Sequence, residues 1–266
     1  MNHRLEGIRA ITFDFGNTLV PVGRAALGRV VEVTADAVTE RIAGIDRAAF
    51  LAAWAEERER QFREEVPQFR EVDLAERLVR IFARLRGMPP PSSDERWDQG
   101  AAAERSSPAE IDWAVEVYSR AFVETLPPAP AAGRLLAELA GRYRLGILSN
   151  WPLAATVDRY VEAAGWSQYL AAIVVSQRVG TIKPHPAIFA AARTALGSPG
   201  RATILHVGDD WAADVVGALA AGWRAAYIRH RPEDSPLPSS DRDASVEADL
   251  EMGDVSELGP LLDEFA

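Results

Sequence analysis

The chain contains no cysteine. That excludes disulfide frameworks, zinc–thiolate sites and cysteine nucleophiles, and it carries no information about compartment by itself. Long apolar runs are missing too: no charge-free stretch reaches the roughly 18 residues of a membrane span, and Glu6 and Asp14 interrupt the start of the chain, which therefore does not read as a signal peptide. Basic charge is in deficit, with 29 basic against 39 acidic side chains and a formal net charge of −10. A net-negative chain gains no counterion-release energy on a phosphate backbone, so nucleic acid is a poor partner. The sharpest scarcity is lysine. Of the basic residues 28 are arginine, and the one lysine is Lys183.

What is present is ordinary globular composition, 48% hydrophobic and 26% charged over 266 residues, which excludes disordered, collagenous and coiled-coil classes. The expectation is a soluble, cytoplasmic protein.

Five short apolar segments end in small or polar residues: Ile8–Phe13 before Asp14, Leu145–Leu148 before Ser149, Ala172–Val175 before Ser176, Thr203–Val207 before Gly208, and Ala225–Ile228 before Arg229. Continuously apolar strands fit a parallel sheet buried on both faces. Helical patterns lie between them at Leu153–Ala164, Pro186–Leu196 and Ala212–Ala221, the last closed by Gly222. This alternation predicts an α/β fold with a doubly wound parallel sheet, Rossmann-like in its winding. Ala248–Met252 reads as a last short strand before a final helix, and Arg231–Ser245 as a surface loop.

From about Pro21 to Leu126 the rhythm breaks, and only helical spacing is found. Leu74, Leu78, Ile81, Phe82 and Leu85 form one apolar stripe; Ile111, Val115, Tyr118 and Phe122 form another. A proline-rich turn at 88–93 interrupts these helices, and another at 127–130 marks a stiff return. The expected organisation is a core of residues 1–20 and 127–266 with an all-α module, residues 21–126, inserted after the first strand. Most aromatics of that module are expected in its own core, and Arg58 and Arg60, alternating with Glu57 and Glu59, on a solvated face.

Four polar clusters sit at strand ends or in the loops that follow: Asp14-Phe15-Gly16-Asn17-Thr18, Ser149-Asn150, Thr181-Ile182-Lys183-Pro184, and Gly208-Asp209-Asp210-Trp211-Ala212-Ala213-Asp214. In an open parallel sheet, strand ends of one polarity line one crevice. Asp14 would act as a carboxylate nucleophile, with a helix N-cap or turn aspartate as the alternative. A carboxylate does not approach an anionic substrate unaided, because unit charges about 4 Å apart repel by roughly 4 kcal/mol at an effective dielectric near 20. Asp14, Asp209 and Asp214, with the Gly16 carbonyl, offer the hard oxygens that magnesium takes. Asp210 reads as a helix cap. Lys183 supplies a second, compact cation.

This ordered set of clusters resembles the haloacid dehalogenase-like hydrolases, a superfamily dominated by phosphatases, many of which carry a helical cap where this chain has its insertion. The resemblance implies a magnesium-dependent hydrolase of a small phosphorylated substrate working through an aspartyl-phosphate. It gives Lys183 the role of holding the phosphoryl group or the nucleophile, and Thr18 or Ser149 the role of donating a hydroxyl to it; helix capping is the alternative for both hydroxyls. Asn150 is a further candidate for substrate contact. One departure stands out. Phosphatases of this kind carry a second aspartate two residues after the nucleophile as general acid and base, and here Gly16 stands there. Loss of acid–base help lowers the rate by about 10²–10⁴ without removing catalysis; His185 and Asp210 are the nearby replacements to consider. Two alternatives remain open: a 2-haloacid dehalogenase-like hydrolase, in which aspartate attacks carbon without metal, and a weakened binding protein of the same fold. A homodimer through the cap is compatible with the sequence and not specified by it.

Overall fold

The computed structural model describes residues 5–264. Its sheet has six strands, β1 (Ala10–Phe13), β2 (Arg144–Ser149), β3 (Leu170–Val175), β4 (Ile204–Gly208), β5 (Arg224–Ile228) and β6 (Leu250–Met252). They are parallel throughout and ordered β3-β2-β1-β4-β5-β6. β1 is central and buried on both faces, as a strand covered by helices on both sides must be. The winding reverses between β1 and β4, where Phe13 pairs with Val207 and the Asp14 amide donates to the Val207 carbonyl at 2.8 Å. A crevice opens at the carboxyl ends of strands at such a reversal.

Between β1 and β2 run α1 (Arg24–Arg41), α2 (Arg47–Glu65), α3 (Leu74–Leu85), α4 (Gln99–Ala103), α5 (Pro108–Thr125) and α6 (Pro130–Ala140). No strand interrupts them among the described residues. Asp46, Asp73 and Ser107 cap α2, α3 and α5 through their side chains, and Glu110 completes a capping box on α5. The remaining helices are α7 (Ala154–Ala163), α8 (Ser176–Val179), α9 (Pro186–Ala195), α10 (Gly217–Ala220) and α11 (Leu258–Asp263). No helix among the described residues is long and apolar enough to cross a membrane.

Two local expectations are corrected. The helix read from Ala212 begins one residue earlier as a π-helical turn, Trp211–Val216, before α10. Arg60 and Glu57 do not lie on a solvated face: Glu57 is fully buried and binds Arg84 at 2.8 Å and the Trp97 indole at 2.8 Å, with Arg60 at 3.7 Å. The charge alternation marks an internal ion network that ties α2 to α3, a pairing made by tertiary contact and therefore invisible in local periodicity.

Candidate active site

Three buried carboxylates, Asp14 after β1, Asp209 after β4 and Asp214 in the π-helical turn, gather at the carboxyl end of the sheet. Each offers an oxygen, and these oxygens lie within 4.8 Å of one another. Lys183 reaches into their midst. Its Nζ donates to Asp14 Oδ1 at 2.8 Å, to Asp214 Oδ1 at 2.6 Å and to the Leu148 carbonyl at 2.8 Å. The contact anticipated for the lone lysine is therefore made, to both aspartates at once.

Local features bring these groups together. Gly208 is required for close approach: a Cβ there would fall 2.1 Å from an Asp214 carboxylate oxygen. Only a residue without a side chain lets Asp214 fold back over the strand end. There Asp214 Oδ2 accepts from the Asp210 amide at 2.9 Å, and Oδ1 also meets His206 Nε2 at 3.0 Å. His206 is held from behind by the Thr12 hydroxyl at 2.8 Å. Asn17 adopts the left-handed backbone conformation that asparagine tolerates, and turns its amide toward Val22 and Ser235.

The charges are far from their ordinary states. Burial raises Asp14, and Lys183 only partly opposes it. Asp209 is pushed up to about 8 by burial and by its neighbours Asp14 and Asp214. Burial would also raise Asp214, but Lys183 and His206 outweigh it and hold the carboxyl below its usual range. For Lys183, burial alone would favour the neutral amine; Asp14 and Asp214 reverse that and keep the ammonium. Burial lowers His206, with Lys183 adding to it. Three acidic groups around one ammonium leave excess negative charge, and Arg231 meets part of it at 3.3 Å from Asp209 Oδ2.

The other expected residues sit at the same strand ends, held by contacts within the protein. Thr18 donates to Asp209 Oδ1 at 3.4 Å. The Ser149 hydroxyl is buried without a well-formed partner, yet near enough to Asp14 to favour its ionised form. Neither residue lines the adjoining cavity; Thr18 faces Asp209 and Ser149 lies beside Asp14. Asn150 lines the cavity, but both ends of its amide hold the Lys183 main chain, at 2.7 and 3.0 Å. Asp210 is the helix cap it was read to be, accepting from the Ala213 amide and from Ser240. His185 caps α9 and does not line the cavity.

That cavity, about 340 Å³, is bounded by Asp14, Lys183 and Asp209 on one side and by Arg58, Phe62, Phe69, Arg77 and Tyr118 of the helical segment on the other. The helical segment is seated on the loops after the strands through Leu74 N to Pro152 O at 2.9 Å and Ile182 N to Phe69 O at 3.0 Å. Gly16 also lines the cavity, and a Cβ on it would meet Leu237 Cδ1 at 2.6 Å and the Trp151 ring at 3.0 Å. The volume into which an acid side chain would extend from position 16 is already filled by apolar groups. Sequence reading did not identify Arg231, Leu237, His206, Arg58 or Arg77 as site residues. Arg58, expected on a solvated face, lines the cavity instead; of the others only His206 left a trace, as a lone polar ring inside an apolar strand.

The family model for haloacid dehalogenase-like hydrolases matches residues 8–222. The chain belongs to that family. Among curated relatives it is 34% identical over 122 residues to the pyrimidine 5'-nucleotidase YjjG of Escherichia coli, covering 44% of this chain and 54% of that protein. It is 34% identical over 134 residues to a phosphoserine phosphatase of Thermus thermophilus, covering 50% of each. The chain thus spans about half the length of the curated relatives it matches. Among solved structures it resembles a 2-haloacid dehalogenase from Pseudomonas syringae, with TM-score 0.67 and 21% identity over 97% of this chain and all of that one. It also resembles the HAD hydrolase YfnB from Bacillus subtilis bound to magnesium, with TM-score 0.61 and 18% identity over 97% of this chain and all of that one. At these identities the structural likeness speaks to fold. The chain is a haloacid dehalogenase-like hydrolase by family; the curated relatives above are named as a nucleotidase and a phosphatase, and a dehalogenase shares its fold.

Proposed function

We propose that this hydrolase is a magnesium-dependent phosphatase of small phosphorylated metabolites that works through an aspartyl-phosphate on Asp14. The observation that carries this reading is the trio of buried carboxylates around Lys183. A carbon–halogen hydrolase has no use for so much concentrated negative charge. A divalent cation does: hard carboxylate oxygens suit magnesium, and Asp209, pushed up to about 8 by burial and then by its acidic neighbours, lacks a full counter-charge. Asp14, Asp209 and Asp214 would hold the ion, with the Gly16 carbonyl as a further donor. When bound, it supplies Lewis-acid neutralisation of phosphoryl charge. The curated relatives with phosphatase and nucleotidase names, and a magnesium-bound structural neighbour, support the same reading.

In this scheme Lys183 orients Asp14 by holding Oδ1, while the carboxylate keeps 13% side-chain exposure beside the cavity. Asp14 forms a bond to phosphorus as the ester oxygen leaves with its electron pair. Water then attacks the aspartyl-phosphate, releasing phosphate and restoring the carboxylate. Asn150 acts on Lys183 rather than on substrate, and Thr18 and Ser149 steady the carboxylates. No acid at position 16 protonates the departing oxygen; Asp210 lines the cavity but both its oxygens are engaged by Ala213 and Ser240, and His185 does not line it. The reading therefore favours esters whose leaving group needs little protonation, such as acyl, anomeric or aryl phosphates. Residues 21–126 are the cap of this site and the remaining segments its core.

The test is hydrolysis of p-nitrophenyl phosphate and a panel of phosphorylated metabolites with and without magnesium. Turnover that requires magnesium and disappears in Asp14→Asn is expected. Halide release from 2-chloropropionate in the presence of chelator, with no phosphate release, would overturn the proposal.

A further inference from the structure

The helical segment contains several buried arginines, and nearly all are matched by acids. Arg84 meets Glu57, Arg80 meets Glu64 and Arg60 meets Glu64, with side chains at most 17% exposed. Arg77 is the exception. It is 4% exposed and lines the cavity shared with Asp14. Its Nε donates to Gln61 at 2.8 Å, Nη2 reaches the Val72 carbonyl at 3.5 Å, and its guanidinium lies 5.4 Å from the Trp54 ring centroid. None of these partners carries charge, and among the described residues no carboxylate comes within salt-bridge distance of it. The nearest acid that shares the cavity, Glu71, is engaged by the Val72 amide and the Ser176 hydroxyl. Burial lowers Arg77 to about 10, and a second cation, Arg58, adds to that effect. Arg58 lines the same cavity, braced by Glu59 and by the Pro236 carbonyl at 3.0 Å.

A buried guanidinium without a counter-ion is costly, and a fold that retains one beside a reaction site has a reason to. We propose that Arg77, assisted by Arg58, receives a second anionic group of the substrate, so that the enzyme prefers small phosphate esters that also bear a carboxylate or a second phosphate. The inference rests on the phosphatase reading for its first anion and adds the second. Guanidinium groups present paired donors that match either oxyanion. Phe62, Val66 and Phe69 wall the space with apolar surface suited to a short carbon body, and a cavity of about 340 Å³ limits that body to a small one.

The experiment compares kcat/KM, in magnesium, for 3-phosphoglycerate, propane-1,3-diyl bisphosphate and glycerol 3-phosphate, which differ in the group distal to the phosphoryl ester. The wild type is expected to favour at least one doubly anionic ester over glycerol 3-phosphate by about tenfold or more, the size of a charge-assisted hydrogen bond. The carboxylate and bisphosphate arms identify which anion is taken. In Arg77→Gln the preference should collapse through KM, and in Arg77→Lys it should survive in part. If Arg77→Gln fails to fold by circular dichroism, Arg58→Gln carries the test and must lower the preference at least threefold. A wild-type ratio near one, or a ratio untouched by the substitutions, overturns the inference. Should the wild type hydrolyse p-nitrophenyl phosphate but none of these alkyl esters, whose leaving groups need protonation, the reaction reading stands; should it leave p-nitrophenyl phosphate intact as well, that reading fails on its own. Calorimetric titration of 3-phosphoglycerate into wild type and variant then decides the anion site, and equal affinities overturn it.

Discussion

Replacing Lys183 by methionine keeps the length of the stem and deletes the charge that separates Asp14 from Asp214. Nζ sits 2.8 and 2.6 Å from their oxygens, so its loss leaves two buried carboxylates facing each other at about 5 Å. At an effective dielectric near 20 that repulsion is roughly 3 kcal/mol, and removing one partner of a buried pair typically costs about 3–5 kcal/mol. For a chain of this length the fall in Tm is on the order of 10 °C, read by circular dichroism in the presence of chelator. Adding Asp14→Asn to Lys183→Met should recover part of the loss, because one of the repelling charges is gone. The pH dependence has a defined sign. Asp14 is already raised in the folded protein by burial, and without Lys183 it rises further. A carboxyl raised in the folded state binds its proton more tightly than in the unfolded chain, so stability is greatest below its unfolded pKa and declines as pH climbs through the folded one. The deficit of the variant should therefore shrink on acidification from neutral pH. A Tm within about 2 °C of wild type at pH 7, or a deficit that grows in acid, would refute the electrostatic account of this cluster.

Gly16→Asp should raise turnover of alkyl phosphates relative to p-nitrophenyl phosphate, approaching the 10²–10⁴ of general acid catalysis, and more so with Leu237→Ala, which vacates the space the new side chain needs; an unchanged ratio in the double variant would show that protonation is not what the site lacks. Gly208→Ala places a methyl group 2.1 Å from the Asp214 carboxylate, and because the clash extends to the Asp214 Cβ at 2.6 Å it is not relieved by a small swing. A loss of about 1–3 kcal/mol or more in urea unfolding is expected, together with loss of p-nitrophenyl phosphate hydrolysis. Glu110 is held down to about 2 by Arg86 and by the Ser107 amide. A depressed carboxyl contributes stability above its unfolded value of 4.5 that fades as pH falls toward about 2, so Glu110→Gln should lower Tm at pH 7 and match wild type near pH 2.

Much of the site was legible because its parts are local. Asp14, Ser149, Lys183 and Asp209 each sit at the end of an apolar strand or in the loop beyond, and strand ends of one polarity must open on one side of the sheet. The absence of other lysines made Lys183 conspicuous. Their neighbours were harder. Thr18, Ser149 and Asn150 have chemistry that suits either a substrate or another protein group, and only the packed structure shows that Thr18 faces Asp209 and that Asn150 clamps the Lys183 backbone.

The order of strands and helices, the inserted helical segment and the acidic loops around one lysine were written in the sequence itself, since apolar periodicity and strand-end chemistry act over a few residues. Tertiary structure alone decided that Leu237 fills the space over Gly16, that Arg231 meets part of the charge at Asp209, that Glu57 is internal and that Arg77 has no ion pair. Each of those facts depends on which distant side chains arrive beside one another in a medium of low dielectric, where pairing or its absence governs the energy.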